Sequence, residues 1–359
     1  MNTAQTKSDN NKNNEGGGAL KDLVLVTGIS GYIARHVAHI LLSRGYQVRG
    51  TVRSIAKADG VKKDLADAGT DVSHLSFIEA DLESDDNWSE AVKDCAYIQH
   101  IASPFPLEQP SDREALVPAA RAGAQRVLAA GFAQNVKRVV MTSSMVSMMG
   151  KPGKGPTMDV TEDDWTQPSW RPLTAYAVSK TKAELSAWEY AKVQGFEDKL
   201  TVINPGLVLG PAIGTSFGAS LHLIEQMFAG ELPRAPKVAY PIVDVRDVAE
   251  LHVEAMLKQK SKGRRLIAAS NTLWLKDIAA ILRQNFPEKA KKTPKGEIPN
   301  FVVRMVSLFD DRIKAVVADL GVFHTADTSY VTNITGVNFR PAEESIIDTA
   351  QFLIDCNRL

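Results

Sequence analysis

The sequence predicts an α/β protein: a doubly wound parallel sheet with helices on both faces and a smaller, loop-rich C-terminal lobe. Three observations carry that prediction. Short apolar runs alternate with longer amphipathic stretches from Leu23 to Asn204. A glycine turn separates the first run from the first amphipathic stretch. After Asn204 the chain becomes rich in Gly and Pro. Strand–helix alternation at this density builds a parallel sheet covered on both sides.

Each element has its own signal. Leu23–Thr27 (LVLVT) is a continuous apolar run, the pattern of a strand buried on both faces. Gly31–Arg44 puts Ile33, Val37, Ile40 and Leu41 on one helical face. Tyr46–Val52, His74–Ala80 and Ala96–Ile101 read as the next strands. Arg113–Phe132 is an Ala-rich helix, and Val136–Thr142 is a strand. Ala175–Gln194 is a second long helix, followed by a strand at Leu200–Asn204. Segments 205–241 and 287–300 read as loops, the second holding three prolines and four lysines.

Composition narrows the function classes. The chain has 359 residues, 44% hydrophobic and 23% charged, a globular profile that excludes disordered, collagenous and disulfide-stapled proteins. Lys plus Arg and Asp plus Glu are both 42, so no basic excess asks for a nucleic acid. No run approaches the roughly 18 apolar residues that span a membrane. Residues 5–18 carry no apolar side chain, so no signal core is expected and 1–19 should be a disordered tail. Cys95 and Cys356 read as reduced thiols of a cytoplasmic chain.

The turn after the first strand is Thr27-Gly28-Ile29-Ser30-Gly31-Tyr32-Ile33-Ala34. Glycines there let the backbone approach a pyrophosphate, and the helix N-terminus offers free N–H groups. Its spacing also fits an ordinary tight turn. Dinucleotide sites for NAD carry a carboxylate about 20 residues further on, for the ribose 2′-hydroxyl. Here no Asp or Glu occurs between Gly28 and Ala58. The second strand ends Thr51-Val52-Arg53-Ser54, with Lys57 one turn later. Two cations suit a 2′-phosphate, so the cofactor expected is NADP(H). Asp81-Leu82 follows the third strand, where a carboxylate either accepts from an adenine amino group or caps the next segment. Ala102-Ser103-Pro104 closes the fourth strand beside the cofactor's ribose and phosphates. Residues 20–205 thus read as an NADP-binding, Rossmann-type domain to which 242–270 returns. Residues 206–241 and 271–359 read as a substrate-binding lobe.

Tyr176-Ala-Val-Ser-Lys180 is an i, i+4 pair on one helix face. A lysine ammonium beside a phenol favours the phenolate and lowers the tyrosine pKa. Ser144 stands at the end of the fifth strand, where such sheets face their ligand. Ser144 would hold a substrate carbonyl while Tyr176 donates the proton. His36 and His39 share a helix face without a third ligand, so no metal is expected. Asp244, Arg246 and Asp247 read as structural.

Together these residues resemble the extended short-chain dehydrogenase/reductase superfamily, and within it the dihydroflavonol reductase group and its microbial aldehyde and ketone reductase relatives. The likeness rests on Gly28-Ile-Ser-Gly31-Tyr-Ile-Ala34, Thr51-Val-Arg53-Ser, Asp81-Leu82, Ala102-Ser103-Pro104, Thr142-Ser-Ser144 and Tyr176-x-x-x-Lys180. Asn204-Pro-Gly-x-Val208-x-Gly-Pro211 and Val243-Asp-Val-Arg-Asp-Val-Ala249 extend it. The resemblance implies a catalytic triad of Ser144, Tyr176 and Lys180. It implies that Gly28 to Ile33, Arg53, Lys57, Asp81, Leu82, Ala102, Ser103, Tyr176, Lys180, Pro205 and Val208 hold the cofactor, with Pro205 and Val208 at the nicotinamide. Plant flavonoid reductases carry an asparagine five residues past the serine; here Met149 stands there, in a stretch with Met145 and Met148. Those methionines fit an adaptable apolar pocket or a packed core. The expected activity is NADPH-dependent reduction of a small-molecule aldehyde or ketone. The alternatives are a nucleotide-sugar epimerase or dehydratase, and a non-catalytic NADP-sensing protein. The sequence leaves substrate, stereochemistry and oligomeric state open.

Overall fold

The computed structural model describes residues 20–103, 110–153, 155–309, 313 and 316–359. The expected tail 1–19 and Pro104 lie outside them. Seven strands form the central sheet: β1 (Lys21–Val26), β2 (Tyr46–Val52), β3 (Leu75–Glu79), β4 (Tyr97–His100), β5 (Arg138–Thr142), β6 (Leu200–Pro205) and β7 (Arg265–Ala268). Their order is β3-β2-β1-β4-β5-β6-β7, and every pairing is parallel. This is the doubly wound order, with its switch point between β1 and β4.

Successive strand residues point to opposite faces, and both faces are covered. Val24, Val26, Val48, Val140, Ile203 and Leu266 pack under the helices Tyr32–Ser43 and Val245–Leu257 through Val37, Leu41, Val248, Leu251 and Met256. Leu25, Ile98, Val139, Met141 and Val202 pack on the other side against Trp88, Val127, Leu128, Phe132 and Ala187. The continuous apolar run of β1 is the consequence of this two-sided burial.

A second core lies beyond the C-terminal edge of the sheet. Strand Ala239–Asp244 pairs in parallel with Leu207–Leu209 and antiparallel with Thr272–Trp274. Helices Leu221–Ala229, Leu275–Asn285 and Ala342–Asp355 pack there through Leu221, Ile224, Leu275, Ile278, Ile346 and Leu353. Segment 205–241, read as loop, therefore contains a helix and several strand residues. In segment 287–300, Glu297–Ile298 pairs with Ala235–Pro236.

Asp244, Arg246 and Asp247 tie the two cores together, as the sequence predicts. Asp244 caps helix Val245–Leu257 by accepting the Arg246 N–H at 2.8 Å. The Arg246 guanidinium grips the same carboxylate and reaches Asp348 at 2.6 Å. Asp247 accepts the Arg340 N–H at 2.6 Å.

One expected boundary moves. The helix predicted from Arg113 begins at Val117. Pro118 has no N–H and is tolerated only in the first turn, so the helix starts there and not four residues earlier. Among the described residues, no helix is long and apolar enough to cross a membrane.

Candidate active site

A cleft of about 790 Å³ opens at the carboxyl ends of the sheet strands, over the switch point. Among the residues lining it are Gly28, Ser30, Gly31, Tyr32, Ile33, Arg53, Lys57, Asp81 and Leu82 at one end. Ala102, Ser103, Ser144, Tyr176, Pro205 and Val208 line its middle and far end.

The glycine turn is locked in place from beneath. Gly28 has φ +61°, and a Cβ there would stand 2.9 Å from the Cβ of Ala102. Its N–H donates to Thr51 Oγ1 at 2.9 Å. Thr27 Oγ1 accepts the N–H groups of Ile101 and Ala102, each at 3.0 Å, binding the end of β4 to the turn. Gly31 is the N-cap of helix Tyr32–Ser43, with no capping side chain and no acidic residue in the first turn. That helix end presents its N–H groups and positive dipole to an anion.

Ile29 departs from the expectation. Its side chain is fully buried and fills the space over Gly50, where a Cβ would lie 2.5 Å away. Its N–H is bonded to Thr51 O at 3.1 Å. It shapes the turn from below and does not line the cleft. Tyr32 lines the cleft with its ring, while its hydroxyl donates to Gly210 O at 2.6 Å. Burial raises that phenol well above its ordinary value.

Arg53 and Lys57 are both exposed, and among the described residues neither has an ion-pair partner. Cations without a carboxylate, beside a helix N-terminus, fit a dinucleotide bearing an extra phosphate. Asp81 makes the local turn, one of its two readings, and also lines the cleft. Its Oδ1 accepts the Glu83 N–H at 3.0 Å, a local turn, and its carboxylate still faces the cleft. Leu82 is fixed by Arg126, which donates to its carbonyl at 2.6 Å.

At the other end, Tyr176 is the second residue of helix Ala175–Val193. Thr174 Oγ1 caps that helix by accepting the Ala177 N–H at 3.1 Å. Ser144 sits in the turn between β5 and the short helix Val146–Met149. Its hydroxyl is hydrogen-bonded to the Tyr176 phenol. The same oxygen accepts the Val146 N–H at 3.3 Å and lies 3.5 Å from Pro205 O.

Lys180 is buried and is not among the lining residues; its Nζ donates to Thr142 O at 3.5 Å. Burial pulls it down to about 8, and the Glu184 carboxylate one turn on opposes that shift. The tuning of Tyr176 differs from the expectation. Burial pushes the phenol up, and the opposing contact is the Ser144 hydroxyl, not the Lys180 ammonium. Burial of the phenol is the largest influence on it.

Of the methionines, Met148 belongs wholly to the core, whereas Met145 and Met149 are buried and also line the cleft. The cleft further includes Thr51, Trp88, Leu207, Phe217, Tyr240 and Pro241. Thr51 stood inside a quoted motif. Phe217 and Tyr240 came from a segment read as loop and had no local signal. His36 and His39 are used elsewhere, on Pro211 O at 3.0 Å and Thr70 Oγ1 at 2.6 Å.

The family model described as the NAD dependent epimerase/dehydratase family matches residues 24–268. The chain belongs to that family. The match bears out the superfamily resemblance seen in the motifs. Cinnamoyl-CoA reductase 1 of Petunia hybrida is 34% identical over 305 residues, covering 84% of this chain and 88% of that protein. The crystal structure of yeast methylglyoxal/isovaleraldehyde reductase Gre2 complexed with NADPH superposes with a TM-score of 0.75. It is 27% identical and covers 94% of this chain and 100% of that one. Gre2 of Candida albicans in complex with NADPH gives 0.74 at 28% identity, covering 93% and 99%.

Proposed function

We propose that the chain is an NADPH-dependent oxidoreductase that reduces the carbonyl of a small aldehyde or ketone. The observation that carries this reading is one cleft with two chemistries. Arg53 and Lys57, without an ion-pair partner among the described residues, stand at one end, and the hydrogen-bonded hydroxyls of Ser144 and Tyr176 at the other. The relatives named above support it: one is a cinnamoyl-CoA reductase, one a methylglyoxal/isovaleraldehyde reductase, and both Gre2 structures hold NADPH.

Arg53 and Lys57 would hold the 2′-phosphate, and the N-terminus of helix Tyr32–Ser43 the pyrophosphate. Bound NADPH supplies the hydride. Ser144 donates a hydrogen bond to the substrate oxygen and fixes its position. Tyr176 gives that oxygen a proton as charge builds on it. Its raised pKa keeps the phenol protonated at neutral pH, as a proton donor requires. Lys180 keeps a positive charge beneath this pair, with its Nζ donating to Thr142 O. Val146, Met149, Leu207, Phe217 and Pro241 make the far wall apolar. Such a wall favours a carbonyl compound with an aliphatic or aromatic body over a flavonoid or a nucleotide sugar.

The test is NADPH oxidation with a panel of aldehydes, ketones, flavonoids and nucleotide sugars. Turnover of apolar carbonyl compounds, faster with NADPH than with NADH, is the expected result. Stoichiometric cofactor retained through purification, with turnover of nucleotide sugars alone, would replace this reading by the epimerase one.

A further inference from the structure

Glu184 is fully buried and plays no part in the proton transfer described above. It lies on helix Ala175–Val193, one turn past Lys180 and two past Tyr176, on the same face. Four donors converge on its carboxylate. Ser143 Oγ at 2.5 Å, Ser147 Oγ at 2.6 Å and Asn204 Nδ2 at 2.9 Å meet Oε2. Arg265 Nε meets Oε1 at 2.6 Å. Ser143 and Ser147 flank Ser144, and Asn204 Nδ2 also reaches Ser144 O at 3.2 Å. The Arg265 guanidinium stacks 3.7 Å above the Trp165 ring and donates to Asp164 O at 2.6 Å.

A buried ion pair is by itself poor evidence of a stabilising role, because desolvation cancels much of the attraction. What marks this one is where it is anchored. One oxygen holds the serine turn, and the side chain hangs from the helix that carries the other two triad members. We propose that Glu184 is a positioning residue, whose carboxylate straps the Ser143–Ser147 turn to helix Ala175–Val193 and so fixes Ser144 against Tyr176. The inference rests on the reading that Ser144 and Tyr176 handle the proton. A second effect follows from its place. Its negative charge supports the ammonium of Lys180, which burial pulls down to about 8. The other groups facing Lys180 are Tyr176 on its own helix, His100 on β4, and His252 behind Thr142. Both histidines are pushed down to about 3 by burial and stay neutral over the working range.

The test pairs two variants of the full chain. Glu184→Gln alone strands the Arg265 charge, so the first variant is Glu184→Gln with Arg265→Gln, which removes both charges together. The second is Ser143→Ala, which removes one strap and keeps every charge. The readouts are kcat for NADPH-dependent reduction, the NADPH Kd, and the pH profile of kcat. A displaced catalytic group costs up to about 100-fold in rate, so the double variant should lose about 10- to 100-fold in kcat. Its NADPH Kd should stay within about threefold, because the nucleotide end is untouched. Its alkaline limb should move to lower pH, since Glu184, one turn away, holds the Lys180 proton, whereas the Arg265 charge removed with it does not act on Lys180. Ser143→Ala should lower kcat by a smaller factor and leave the limb in place. Wild-type kcat in either folded variant, with Tyr176→Phe inactive, overturns the positioning role and leaves the reductase reading standing. An active Tyr176→Phe overturns the reading beneath it.

Discussion

At the nucleotide end of the cleft, Arg53 and Lys57 stand exposed with no ion-pair partner among the described residues. At the catalytic end, Lys180 is buried, Glu184 and Arg265 neutralise each other, and His100 and His252 are held neutral. The difference follows from what each end must do. An exposed cation keeps its hydration until a phosphate displaces it, so it selects a ligand by charge at little cost to the fold. A buried group acts in a low-dielectric site, where a hydroxyl or an ammonium a few ångströms away shifts its protonation strongly. On the proposed reading, recognition is therefore placed in water and chemistry out of it.

Tyr176→Phe gives the sharpest break between the two ends. The ring stays and only the proton donor goes, so kcat should fall by about 10²–10⁴-fold. NADPH affinity should be unchanged in a fluorescence titration, because that end of the cleft is intact. A variant with half the wild-type kcat removes Tyr176 from the mechanism.

The buried end should also make the fold acid-sensitive. His100 bonds Thr27 Oγ1 at 3.0 Å, and His252 lies between Gln99 Oε1 at 2.8 Å and Thr142 Oγ1 at 2.9 Å. Both folded-state values lie near 3, against 6.5 for an ordinary ring. The unfolded chain takes up protons below pH 6.5 and the folded chain does not. Stability is therefore fully present above that pH and is lost as pH falls toward 3. At pH 5 the loss is roughly 2 kcal/mol per ring. Scanning calorimetry between pH 7.5 and 5 checks it. A melting temperature flat across that range means the rings are not held neutral.

Arg53 tests the exposed end. Charge-assisted hydrogen bonds contribute about 1.5–3 kcal/mol each, so Arg53→Ala should weaken NADPH by about one to two orders of magnitude. NADH, which lacks the phosphate, should change little. The Michaelis constants for both cofactors decide it, and equal losses would mean that Arg53 holds something other than the 2′-phosphate.

The nucleotide end was the more legible of the two because its signals are local. Gly28, Gly31 and the missing carboxylate before Ala58 all lie within one strand–helix–strand unit. Ser144, Tyr176 and Lys180 were legible as a constellation, and the structure brings Ser144 and Tyr176 into contact. What holds them was not. Glu184 and Arg265 are separated by 81 positions and meet only when the helix and β7 pack on the sheet. The direction of the Tyr176 shift was misread because helical spacing reports proximity to Lys180, whereas the shift is set by depth below the surface. Ile29 was misplaced because an apolar residue in a turn can face either the ligand or the core, and only the contact with Gly50 decides. Phe217 and Tyr240 belong to the far core, whose assembly depends on pairings across the chain.

Asp81 gives the smallest effect, and it separates adenine binding from phosphate binding. Its Oδ1 is committed to the Glu83 N–H, and Trp88 Nε1 donates to its backbone carbonyl at 3.0 Å, so the local turn does not depend on the charge. Asp81→Asn keeps an acceptor oxygen for that turn and should leave the melting temperature unchanged. What it alters is the second oxygen, which is replaced by an amide NH2 that could not accept from an adenine amino group placed as proposed. Water screens this part-exposed carboxylate, so one such charge-assisted bond contributes about 1.5 kcal/mol, the low end of its range, a loss of roughly 10-fold in affinity. Both cofactors carry the adenine, so NADPH and NADH should weaken by the same factor. That equality is the contrast with Arg53→Ala, whose loss should fall on NADPH alone. A selective loss of NADPH in Asp81→Asn would mean that the carboxylate orders Arg53 or Lys57 and does not touch the base.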